Sequence, residues 1–175
     1  MAASLTSLRV SAQVSWTYET AVTGLSGTTA NANSFQFAAT TTNGTGAGTT
    51  ADLIYAVQLT LAGAASTTVN LASAPVKDFF GSNIVMARIK FLFVWLTNIT
   101  SAVSVAFGNA ANPVINWISA ATATVKINNN GVFVLGSPGA TGYPVTSATA
   151  DQLKVTNNDA TNPATVNLAV VGSSA

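Results

Sequence analysis

Lys90-Phe91-Leu92-Phe93-Val94-Trp95-Leu96 (KFLFVWL) is the most apolar run in the chain, and its reading decides the fold. A membrane-spanning helix needs about 20 apolar residues. This run stops at Thr97-Asn98 and starts behind Arg88 and Lys90, so it is too short to span. Aromatic and β-branched residues closed off by turn formers predict instead a strand covered on both faces. Together with the preceding NIVMARI it predicts a long central strand from about Ile84 to Leu96. On that reading Phe91, Phe93 and Trp95 point into one layer, while Leu92, Val94 and Leu96 face another layer or a subunit.

Outward from this strand the two-residue period recurs. In SLRVSAQVSWTYE, Leu8, Val10, Ala12, Val14, Trp16 and Tyr18 share one face and Arg9, Ser11, Gln13, Ser15, Thr17 and Glu19 the other, the pattern of a half-buried strand. DLIYAVQLTLA alternates in the same way, with Leu53, Tyr55, Val57, Leu59 and Leu61 in phase. TTVNLAS, AVSVAF, TATVKIN, GVFVLG, DQLKVTN and ATVNLAVVG follow as short strands bounded by turn residues. NNNG (128–131) between VKI and VFVL predicts a hairpin, because Asn-Gly accepts the positive φ of a type I′ turn. APVKDFFGSN predicts a single helical turn, with Phe79 and Phe80 plugging one end of a sandwich. Residues 24–50 are small and polar, anchored only by Ser34–Phe37, and read as an extended loop or arm that a partner orders. No segment carries sustained helical spacing. The expectation is one all-β domain over 1–175, an antiparallel β-sandwich of jelly-roll type.

Charged residues make up 6% of the chain, with a net charge of +1 and no His or Cys, where about 25% charged is usual. A free monomer normally relies on surface charge for solubility, so this composition predicts a protein that works against neighbours. Six Lys and Arg residues make no basic patch, which excludes electrostatic nucleic-acid binding. Without His or Cys there is no triad, no thiol nucleophile and no ordinary zinc site. Glu19, Asp52, Asp78, Asp151 and Asp159 are well separated; Asp52 and Asp151 stand at strand starts, and NNDATN (157–162) reads as a turn. GTGAGTT lacks the Lys of a phosphate loop. No catalytic residue, metal site or cofactor is expected. MAASLTSLRV has neither the basic nor the apolar region of an export signal, so the sequons at Asn43 and Asn98 predict no glycan, and the chain is expected to be made in a cytoplasm.

Trp16 and Trp95 fall in phase with apolar neighbours and read as core. Trp117, in NPVINWISAAT, lies outside clean alternation and is the candidate exposed contact, with Tyr143 as its companion in a sugar-stacking platform. Asn43, Phe35 and Phe37 complete the candidate partner contacts.

From Ile89 onward, IKFLFVWLTNITSAVSVAFGNAANPVINWIS is followed by GVFVL, then PGATGYPVT, ADQLKVTN and VNLAVVG. This order of strands and turns resembles virion structural proteins of tailed bacteriophages. The resemblance covers the last half of the chain and carries no catalytic motif. It implies a β-sandwich serving as a head decoration, fibre or minor tail component. The expected function is a non-enzymatic head decoration or cement subunit, a homotrimer in the virion that binds the capsid lattice of the major capsid protein. The alternative is a carbohydrate-binding module or receptor-binding fibre component. Neither nucleic acid nor membrane is an expected partner. An ice-binding surface of Thr and Ala ranks third, because no strict repeat supports it.

Overall fold

A computed structural model describes residues 7–21, 28–45, 50–73, 76–99, 103–114, 116–118 and 120–175. In chain order the strands are β1 (Ser7–Ala21), β2 (Thr28–Thr42), β3 (Leu53–Leu61), β4 (Ser66–Asn70), β5 (Val76–Lys77), β6 (Asn83–Ile84), β7 (Arg88–Leu96), β8 (Ser104–Gly108), β9 (Thr124–Asn128), β10 (Val132–Gly136), β11 (Tyr143–Pro144), β12 (Gln152–Asn157) and β13 (Ala164–Ser173). Among the described residues there is no helix. One sheet runs β10-β7-β13-β3, with β11 added to β7; the second runs β4-β12-β8-β9. All strand pairs in both are antiparallel.

The apolar run is β7, shorter than expected because Asn83–Ile84 pairs with β5 in a separate small ribbon. Its two faces are the reverse of the sequence expectation. Leu92, Val94 and Leu96 are fully buried and meet Leu168, Val166 and Val170 of β13 and Val105, Phe107 and Val155 of the opposite sheet in one core cluster. Phe91, Phe93 and Trp95 lie on the outer face. Alternation fixes which residues share a face but not which face is inside, and here the compact aliphatic set fills the space between the sheets.

Lys90 is also buried. The reason is a β-bulge: Val171 pairs with Phe91 and Gly172 with Ile89, so Lys90 is the extra residue. Its ammonium donates to the carbonyls of Gly139 and Ala140, tying down the PGATG loop. Burial, and then the nearby Arg88 charge, lowers its pKa from the ordinary lysine value. The bulge also needs Gly172, because a Cβ there would collide with the Arg88 carbonyl and lie 3.0 Å from the Met86 sulfur.

NNNG does turn the chain, with Gly131 N–H donating to Asn128 O at 2.8 Å and Asn130 at φ 53°. The flanking strands do not form the expected hairpin. β9 pairs with β8 in one sheet and β10 with β7 in the other. Only Asn130 of the two central residues is left-handed, which rules out the type I′ turn whose twist would hold two strands in register. The turn is an arch between sheets.

Residues 24–50 are likewise not a plain loop. Thr28–Thr42 is strand β2, paired along its whole length with β1 from Ser7↔Thr42 to Ala21↔Thr28. Its Thr, Ala and Asn residues gave no apolar period, yet β1 pairs with it from end to end. Residues 24–27 and 46–49 of the expected arm lie outside the described residues.

Asp151 anchors the start of β12. It is fully buried, and its carboxylate accepts from the Ser73 hydroxyl and from Ala148 N–H at 2.9 Å. Burial pushes its pKa up, but hydrogen bonds from Ser73, Ala148 and Asn70 outweigh that and leave it below the ordinary carboxylate value.

Two outcomes follow. Leu92→Ala should lose about 2–5 kcal/mol of unfolding free energy in urea titration, as for a large-to-small change at a sealed core position. Asp151→Asn should lose about 1–3 kcal/mol at pH 7 by removing a buried charged acceptor. Because the folded pKa of Asp151 lies below the unfolded value of about 3.9, its stabilisation is full above that pH and fades as pH falls through the folded value. The gap between wild type and Asp151→Asn should therefore narrow below about pH 4. A gap that widens there contradicts the assignment.

Candidate interaction surface

The outer face of the five-stranded sheet is built by register. Trp95 stands beside Val132, Phe93 beside Val134 and Phe91 beside Gly136 on one side; Asn167, Ala169 and Val171 flank them on the other. Ala56, Gln58 and Ile54 of β3 complete the rows. No residue among these is charged. The Phe91 end is closed: Phe91, Val171 and Ala51 are buried beneath Val10 and Ala39 of the β1–β2 ribbon, with Ile54 beside them. The other end is open. Phe93 and Trp95 are 36% and 37% exposed, Val134 and Val132 44% and 53%. The Trp95 indole N–H donates to Asn130 Oδ1 at 3.3 Å, holding the ring against the NNNG turn. Between ribbon and sheet lies a hollow of about 280 Å³ lined by Val10, Phe37, Phe91, Val134 and Gly136. This open end of the sheet is apolar and carries no charged residue.

The five residues expected as contacts do not converge. Phe37 alone reaches this surface, 47% exposed at the rim of the hollow. Phe35 stands opposite Val14 further along the ribbon, and Asn43 is exposed just past β2. Trp117 is not the open platform expected. It is half-buried, its ring centroid 5.4 Å from that of Phe107 and 5.7 Å from that of Phe133; those two rings are 6.2 Å apart, so the indole is the third member of an aromatic cluster rather than an open platform. Tyr143 pairs with Ile89 at the sheet margin and packs on the core. Phe93, Trp95, Val132 and Val134, which form the open face, were not among the candidates. Their signal was present: GVFVLG and KFLFVWL are apolar in both phases, more than one core can use.

A second exposed apolar feature is Phe79-Phe80. The expected plug is a tip instead, at the turn of the β5–β6 ribbon, with the two rings 95% and 72% exposed and edge-on at 5.5 Å. Asp78 builds the turn. Its carboxylate accepts from Phe80 N–H at 2.9 Å and Ser82 N–H at 2.8 Å, and Gly81 takes φ 83°.

Asp52 and Asp159 are also committed to local hydrogen bonds. Asp52 accepts from Ser174 N–H at 2.9 Å and its hydroxyl at 2.6 Å. Asp159 closes the NNDATN turn, as expected, where N–H groups of Asn162 and Thr161 hold its pKa down to about 2. Among the described residues no cluster of three His, Cys, Asp or Glu could hold a metal ion.

Comparison with protein-family models and with curated proteins gives no match. The surface must therefore be interpreted from its chemistry.

Replacing both Phe79 and Phe80 by Ser should change unfolding free energy by no more than about 0.5 kcal/mol, as for exposed positions. A loss as large as that of Leu92→Ala in the same urea titration would return these rings to the core.

Proposed function

We propose that this chain is a non-enzymatic structural subunit of a tailed-bacteriophage virion, a head decoration or cement protein that holds its place through apolar contacts. The observation that carries the proposal is the uncovered Phe93–Trp95–Val132–Val134 face on a chain with almost no surface charge. Burying such a face contributes about 25 cal/mol per Å², and it loses little to salt, unlike an ion pair. Repetition on a lattice multiplies modest contacts, so no single interface must be large. The rigid sandwich supports this, since it presents the face on paired strands rather than on loops. The Phe79-Phe80 tip offers a separate contact for the capsid lattice. The strand order from Ile89 onward, which resembles virion proteins, supports the choice of a virion.

The test is a tryptic digest of purified particles encoded by the same genome, read by mass spectrometry. The chain should be present at a fixed stoichiometry to the major capsid protein, and particles lacking it should release their genome at a lower temperature. Its absence from the digest overturns the proposal.

A further inference from the structure

Asparagine followed by glycine is a reactive pair. The glycine nitrogen attacks the carbonyl carbon of the asparagine side chain, because no Cβ on the second residue hinders its approach, and asparagine counts among the thermolabile residues. The chain contains two such pairs, Asn43-Gly44 and Asn130-Gly131. Both asparagines are exposed, so access to water does not separate them. Hydrogen bonding does.

Asn130 is held at each group the reaction must move. Its own N–H donates to the Asn98 carbonyl at 2.9 Å. The Gly131 N–H, on the nitrogen that would attack, donates to the Asn128 carbonyl at 2.8 Å. The Trp95 indole N–H donates to Asn130 Oδ1 at 3.3 Å and fixes the carboxamide. The backbone is left-handed at φ 53°, between two strands that belong to different sheets. Attack requires the Gly131 nitrogen to give up its acceptor while the carboxamide leaves the indole. Both movements break bonds that hold the arch.

Asn43 lacks these restraints. The ladder between β1 and β2 ends at Thr42, so residue 43 belongs to no strand. Among the described residues its carboxamide has no hydrogen-bond partner. The Gly44 N–H reaches the Ala51 carbonyl only at 3.4 Å, longer than an ordinary N–H···O bond. A Cβ placed on Gly44 would meet its nearest neighbours, in the Thr50 side chain, at 3.5 Å, so the backbone has room to turn.

We infer that Asn43 is a site of spontaneous deamidation in the folded protein, and that the fold withholds the same reaction from Asn130. The Gly44 nitrogen gives its proton to solvent and bonds to Asn43 Cγ. The bond from Cγ to Nδ2 breaks, and Nδ2 takes up a proton and leaves as ammonia. Water then opens the cyclic imide at either carbonyl, leaving aspartate or isoaspartate at position 43. Water is the only co-reactant, and nothing is oxidised or reduced. The new carboxylate takes the formal net charge from +1 to zero, since six acids then face six Lys and Arg. The isoaspartate form also lengthens the main chain by one carbon, next to the Thr42 carbonyl that accepts from Ala51 N–H at 3.0 Å.

The test incubates the full chain at neutral pH in water labelled with heavy oxygen, and maps label by peptide mass spectrometry. A parallel sample is unfolded in guanidinium chloride. In the unfolded chain both pairs should take up label at similar rates. In the folded chain, whose far-UV spectrum is followed throughout, Asn43 should react more than about tenfold faster than Asn130. Isoelectric focusing of the folded protein should show an acidic species that Asn43→Gln abolishes. Equal labelling of the two pairs in the folded chain overturns the inference. So does an Asn43 that stays unlabelled there while the unfolded chain reacts, or an acidic species that survives in Asn43→Gln.

Discussion

Everything in this molecule is arranged around a strand that is apolar on both faces. A β-strand can offer only alternate residues to a given side, so β7 cannot bury its aliphatic and aromatic sets in the same place. Leu92, Val94 and Leu96 take the space between the sheets and seal it. Phe91, Phe93 and Trp95 are then committed to the other side, where among the described residues the sandwich has no second layer. The ribbon covers one of the three. The remainder stays exposed at Phe93 and Trp95, and on the proposed reading assembly is what covers it.

The scarcity of charge acts in the same direction. Of the described acids, Asp52, Asp78, Asp151 and Asp159 are each held by N–H or hydroxyl donors at the ends and turns of strands. Lys90 is drawn into a bulge to fasten a loop. These charges maintain the scaffold, and little remains to keep copies apart. On the proposed reading partners are recognised by shape and by the exclusion of water, and assembly should respond weakly to salt.

Much of the fold was legible in the sequence. Period-two patterns located β3, β7, β8, β10, β12 and β13, and the absence of helical spacing gave the all-β class. What stayed hidden depends on long-range pairing. The inside face of β7 could not be chosen because both phases are apolar. The NNNG hairpin failed because β8 and β7 each claimed one of its strands. β2 was invisible, since Thr, Ala and Asn make a strand only when a partner such as β1 supplies the ladder. Among candidate contacts, only Phe37 reached the surface, for Trp117 was taken by Phe107 and Phe133. Outlying aromatics at loop positions look exposed in sequence, but a sandwich can recruit them to close its end.

The central claim is that Phe93 and Trp95 face outward in order to be covered. Hydroxyl-radical footprinting, read residue by residue in a mass spectrometer, tests it most directly. Phe93 and Trp95 should be oxidised readily in dilute protein and protected when copies assemble, while Phe79 and Phe80 stay reactive in both states. Equal oxidation of Trp95 in dilute and assembled protein would contradict it.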